Sequence, residues 1–227
     1  MIKRLFKILF WCVVSFFIYS ILIVVIYKFV PPPVTPVMII RVFEGLFEGK
    51  IVGITYSWVS YDDISPNMFR AVISGEDARF MRHEGIDWKA VRTAQRYNEI
   101  HKGKKTHGAS TITMQTAKNA FLWHGRNYVR KGLEVYFTYL IEFIWGKKRI
   151  IEVYVNIVEF GDGIYGVEAA SQEYFHESAK DLTRRQAALL GAVLPNPRRW
   201  SPAAPTNYIE NRVRFIQGRM NSVPIPK

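Results

Sequence analysis

Residues 74–85 read SGEDARFMRHEG, and what surrounds them points to a helical domain. They follow SPNMFRAVI (residues 65–73), where Ser65 can cap an amino end, Pro66 suits the first helical position, and Phe69, Val72 and Ile73 fall at helical spacing. Glu76 continues that apolar row one turn on, and Phe80 follows four residues later, so a carboxylate stands where periodicity predicts burial. Desolvation disfavours the charged form and raises the pKa, which is the tuning that proton transfer at neutral pH requires. The same pattern fits a structural glutamate paired with Arg79 or His83. Asp77 falls on a different helix face and is expected to play a supporting part.

At 227 residues the chain suits one main domain with a real core, plus an attachment. The attachment is ILFWCVVSFFIYSILIVVIY, an uncharged run of 20 residues from Ile8 to Tyr27, long enough as a helix to span about 30 Å of hydrocarbon. Lys3, Arg4 and Lys7 precede it and Lys28 alone follows closely, which puts the amino terminus in the cytoplasm. A cleaved signal peptide would have a shorter apolar core and a small-residue cleavage site. No alanine occurs before Ala71, so a retained single-pass anchor is expected. The division that follows is residues 1–7 inside, 8–28 anchor, 29–55 linker and membrane-proximal segment, and 56–227 the exported domain.

Cys12, the single cysteine, lies inside the apolar run, so the exported part forms no internal disulfide. A formal charge of +12 suits nucleic acid, an anionic membrane surface or a phosphate-bearing substrate. Export behind an anchor argues against nucleic acid and leaves the membrane surface and the phosphate.

Along the chain, PPPVTP (31–36) predicts a semi-rigid extended spacer. Residues 37–60, with β-branched and aromatic side chains among Gly45, Gly49 and Gly53, predict irregular or partly extended structure. Helical patterns dominate from Ser65 onwards. The polar, basic stretch YNEIHKGKKTH (97–107) predicts an exposed loop. GASTITMQTAKNAFLW (108–123) predicts a turn at Gly108, a hydroxyl cap at Ser110 or Thr111, and a helix with Ile112, Ala117 and Phe121 inward. A long helix is expected over about Asn127–Trp145, with Leu133, Phe137, Leu140 and Ile141 on a wide apolar face. Further helices are expected in KKRIIEVYVNIVEF (147–160), after the glycine-rich GDGIYGVEAAS (161–171), in LTRRQAALLGAVL (182–194) up to PNP, and over Tyr208–Met220.

Two local patterns add charge to this frame. Amides at the start of the helix near residue 110 favour an anion, and Lys118 either adds a point charge there or is a surface lysine. Arg126, Arg130 and Glu134, at i, i+4 and i+8, share one helix face, as an anion site or as an exposed ion-pair ladder.

In order, EDARFMRHEG, GASTITMQ, RKGLE and KKRIIEVYVNIVEFGDGIYGVEAAS resemble, motif by motif, the peptidoglycan glycosyltransferases of bacterial cell-wall synthesis (glycosyltransferase family 51), over roughly Tyr56–Pro202. With one anchor and no serine followed three residues later by lysine, the chain resembles the monofunctional, biosynthetic type. The resemblance implies a mainly α, lysozyme-like domain and a substrate, lipid II, carried on undecaprenyl pyrophosphate, with the nascent glycan strand as the other reactant. It implies that Glu76 is the base and that Glu134, the second family glutamate, orients substrate or supports the cations. Lys118, Arg126, Arg130 and Lys131 would neutralise the pyrophosphate. Ser110, Thr111 and Gln115 would line the cleft, with Asp77 in support, and Phe80, His83 and Gly85 would shape the helix turn and wall. Many members have Gln-Gln where this chain has Met114 and Gln115, and a basic residue where it has Thr93. No cofactor is required; some members respond to a divalent cation, but the five histidines show no ligand spacing. Other cell-wall synthesis or division proteins are compatible partners. The competing classes are a lysozyme-like lytic enzyme acting on finished glycan and a non-enzymatic envelope-assembly scaffold.

Overall fold

The computed structural model describes residues 2–101, 107–125 and 127–227. It is mainly α, as expected for a lysozyme-like domain, with one small sheet. Helix α1 (Ile2–Phe29) is apolar all round and is long and apolar enough to cross a membrane. Its carboxyl-terminal half is tied to the domain. Ser20 Oγ and Tyr136 Oη lie 2.7 Å apart, Trp145 Nε1 donates to the Val24 carbonyl at 2.7 Å, and the Arg149 guanidinium donates to the carbonyls of Tyr27 and Val30.

Residues 37–60 depart from expectation, because the first part is helical. Helix α2 (Pro36–Phe47) opens on Thr35, whose hydroxyl accepts the Met38 N–H, with Pro36 in the first turn. Val37, Met38, Arg41 and Gly45 form its buried side. Burial of that face outweighs the β-branched and glycine content that argues against a helix. Arg41 is enclosed by carboxylates, Glu44 at 2.8 Å, Asp162 at 2.7 Å and Glu159 at 3.5 Å, so the burial of its charge is compensated.

Helix α3 (Pro66–Glu76) is the central element. It starts where the sequence predicts, with the Ser65 hydroxyl accepting the Asn67 N–H, and Met68, Phe69, Ala71, Val72 and Ile73 are wholly inside. Helices α4 (Trp88–Ile100) and α5 (Ile112–Phe121) follow. Helix α6 (Tyr128–Ile157) contains a break at Gly146 (φ 73°, ψ 168°), so the two helices read from the sequence are two limbs joined at one residue. The positive φ is what makes glycine suitable at the join.

Three short strands, β1 (Thr55–Tyr56), β2 (Glu159–Gly161) and β3 (Ile164–Tyr165), form a sheet ordered β1-β3-β2. In it β1 runs parallel to β3 with Thr55 opposite Ile164, and β2 runs antiparallel to β3. Helix α7 (Val167–Phe175), α8 (Arg184–Val193) and α9 (Asn207–Arg219) complete the domain. Ala187, Ala188, Gly191 and Ala192 let α8 lie close against α3, where a Cβ on Gly191 would already touch Ala71 at 3.5 Å.

Candidate active site

Glu76 is the last residue of α3. Asp77 caps the helix in a non-helical conformation (φ −156°, ψ 71°), and Phe80 starts a separate 3-10 turn (Phe80–Arg82) instead of continuing the apolar row. The helix stops there as Asp77 turns to groups beyond it, one near in sequence and one distant. Its carboxylate accepts the Ile112 N–H at 3.0 Å and His83 Nε2–H at 2.9 Å. One of the free amides at the start of α5 is thus satisfied from outside its own helix. The Thr111 hydroxyl satisfies another by accepting the Met114 N–H, and donates in turn to the Gly85 carbonyl at 2.5 Å. Of the two hydroxyls at this helix start, Thr111 is therefore the cap, and Ser110 remains exposed on the cleft wall.

Gly85 sits at φ +82°, where a Cβ would lie 2.8 Å from Thr138 Cγ2. Gly85→Ala should cost about 2 kcal/mol through strain and contact, a drop of roughly 4–8 °C in Tm for a domain of this size. Thermal melting by circular dichroism checks it, and an unchanged Tm would mean that this turn tolerates a side chain.

The Glu76 side chain is only 14% exposed. Its Oε2 accepts from Gln115 Nε2 at 3.0 Å, and Oε1 faces Arg212 Nη2 of α9 at 3.7 Å. Burial raises its pKa above the ordinary glutamate value, and Asp77 adds to the rise. The Gln115 hydrogen bond and the charges of Arg212 and Lys118 work against it. Neither alternative partner pairs with Glu76: Arg79 is bonded to Asp87 at 2.9 Å, and His83 to Asp77. Glu76 and Asp77 open onto a cleft of about 290 Å³, walled by Arg79, Ser110, Thr111 and Arg219 among others.

On α5, Lys118 follows Gln115 by three residues and so shares its face. Burial lowers the Lys118 pKa. Glu134 and Glu76 counter that, while Arg130 and Lys131 reinforce it. Glu134 is not part of an exposed ladder. Its carboxylate is 4% exposed, grips Arg130 on one oxygen and takes Lys131 Nζ on the other at 2.5 Å. Arg130 also donates from Nε to the Gly125 carbonyl at 2.7 Å. The arrangement is a carboxylate in a tight cleft beside a cluster of held cations, which suits proton removal next to a departing anion.

Residues 49–221 match the family model described as Transglycosylase. The chain belongs to the transglycosylase family. It is 52% identical over 215 residues to the biosynthetic peptidoglycan transglycosylase of Bdellovibrio bacteriovorus, covering 95% of this chain and 85% of that one. It is 54% identical over 194 residues to the protein of the same name from Rhodospirillum centenum (86% and 81% covered). With that of Pseudomonas fluorescens strain SBW25 it shares 46% identity over 223 residues (98% and 92% covered).

In this transglycosylase Gln115 and Lys118 stand beside Glu76, and Arg130, Lys131 and Glu134 form one connected group. Phe80 is fully buried, with the Lys147 ammonium 4.5 Å from its ring centroid, and the His83 side chain is nearly so and holds the cleft residue Asp77. Arg126 and the basic stretch Lys102–Lys105 lie outside the described residues. Met114 is buried, and exposed Thr93 bonds the Lys89 carbonyl on α4.

Three residues near Glu76 were not singled out by sequence reasoning. Arg212 borders the buried row Ile209, Val213 and Ile216, and a cation beside such a row was its one local signal. Arg219, at the end of α9, walls the cleft. Tyr154 sits in an apolar helix and reads as core.

Proposed function

We propose that this transglycosylase polymerises peptidoglycan, transferring the growing glycan chain from its undecaprenyl pyrophosphate onto the 4-hydroxyl of lipid II. Glu76 removes the acceptor hydroxyl proton as that oxygen attacks the donor's anomeric carbon. The bond from that carbon to the pyrophosphate oxygen breaks, its electron pair leaves with the pyrophosphate, and configuration inverts to a β-1,4 linkage. The leaving group is already a stable anion and needs no proton, so one free carboxylate suffices where a glycosidase uses two. Lys118, Arg130 and Lys131, with Arg126, stabilise the departing charge, and Glu134 holds Arg130 and Lys131 in place. α1 anchors the domain in the inner membrane with the amino terminus in the cytoplasm and the cleft on the periplasmic side.

The observation that carries this reading is the buried Glu76 carboxylate, bonded by Gln115, which stands one helical turn before Lys118 on α5. Glu134 and Asp77 are each held by partners of their own, which leaves Glu76 as the carboxylate suited to proton transfer. Purified protein given lipid II should produce glycan polymer and leave finished glycan intact. Cleavage of finished glycan without polymerisation would replace the reading with a lytic one.

A further inference from the structure

Tyr154 lies fully buried in the second limb of α6. Its hydroxyl is 3.1 Å from Gln115 Oε1, and Gln115 Nε2 is 3.0 Å from Glu76 Oε2. A glutamine amide can be turned over with almost no change of shape, exchanging its oxygen for its NH2. Turned over here, it would set a carbonyl oxygen against an ionised carboxylate, acceptor against acceptor. The group that favours the productive orientation from the far side is the phenol. Burial, with Glu76 and Asp77 nearby, keeps its pKa well above the ordinary tyrosine value, so it stays an O–H donor.

We infer that Tyr154 is a positioning residue for the glycosyl transfer. By donating to Gln115 Oε1 it fixes the amide so that Nε2 engages Glu76 Oε2, and this leaves Oε1, the oxygen nearer Arg212, to receive the acceptor's proton. The inference rests on Glu76 being the base. The charged groups facing Glu76 are Arg212 from α9, Lys118 from α5 and Asp77 beside it, with Arg79, Asp87 and Arg219 lining the same cleft; Gln115 is the neutral donor among them. Because the Gln115 bond favours ionised Glu76, loosening that amide should raise the carboxyl pKa further and blur its aim.

The test is the pH dependence of lipid II polymerisation by the full-length protein. Tyr154→Phe should move the acid limb of the kcat profile up by about half to one pH unit. It should also lower kcat at neutral pH about three- to tenfold with KM little changed. A purely structural tyrosine would lower Tm without moving that limb. Ring-fluorinated tyrosine at the same position, nearly the same shape and a stronger donor, should shift the limb the other way, and this arm stands even if the phenylalanine variant folds poorly. Gln115→Met should reproduce the upward shift, and adding Tyr154→Phe to it should change nothing more. An acid limb unmoved in both Tyr154 proteins while Glu76→Gln is inactive overturns the role of Tyr154 and leaves the base standing. An active Glu76→Gln protein removes the base itself.

Discussion

Glu76→Gln should lower lipid II polymerisation by at least about a hundredfold and leave the protein folded and at least as stable at pH 7. The amide keeps the shape and can still meet Gln115, but it cannot accept the acceptor's proton. The stability half follows from the sign of the linkage. The folded-state pKa of Glu76 is raised, chiefly by burial, so its contribution to stability is fully present below the unfolded pKa and is lost as pH rises through the folded value. Above that folded value wild type holds a buried charge at a cost that glutamine does not incur. Polymerisation rates and melting curves for the two proteins side by side separate the two effects. A variant that is inactive because it is unfolded would speak for a structural glutamate, and one that polymerises at the wild-type rate would remove Glu76 as the base.

The second large effect is expected at Glu134. Glu134→Ala leaves Arg130 without its partner in a nearly closed site and frees Lys131. Removing one member of a buried pair costs about 3 kcal/mol, or roughly 6–12 °C in Tm at this chain length. Activity measured where the variant is still folded should fall about tenfold to a hundredfold, since the cations proposed to meet the pyrophosphate lose their fixed places. Wild-type Tm in this variant would show that the pair contributes no net stability, and wild-type activity would detach it from the leaving group.

How much of this was legible beforehand depended on whether the cause was local. The start of α3 could be read because Ser65 and Pro66 are adjacent to what they cap. The burial of Glu76 could be read because Phe69, Val72 and Ile73 set the helix phase. The end of that helix could not, since Asp77 turns toward the amide of Ile112, 35 residues on. Thr35 and Pro36 carried a start signal for α2, but the β-branched residues and glycines after them pointed elsewhere, and only packing of Val37, Met38 and Arg41 settles the matter. The spacing of Arg130 and Glu134 put them on one face without saying whether that face meets solvent. Arg212 reaches Glu76 from a helix more than a hundred residues later, and no local pattern reports a contact of that kind.

The bonds from Tyr136, Trp145 and Arg149 to α1 run over three successive turns of the helix end, at Ser20, Val24 and Tyr27, and reach the Val30 carbonyl just beyond it. A domain on a slack tether would tumble and present its cleft in every direction. One clasped along the side of its anchor keeps a fixed bearing with respect to the bilayer normal. The rotational entropy of aiming the cleft is then lost once, on folding, and not again at each encounter. For a substrate itself confined to the membrane, the search becomes one of sliding in a plane, with two coordinates and one angle left to match.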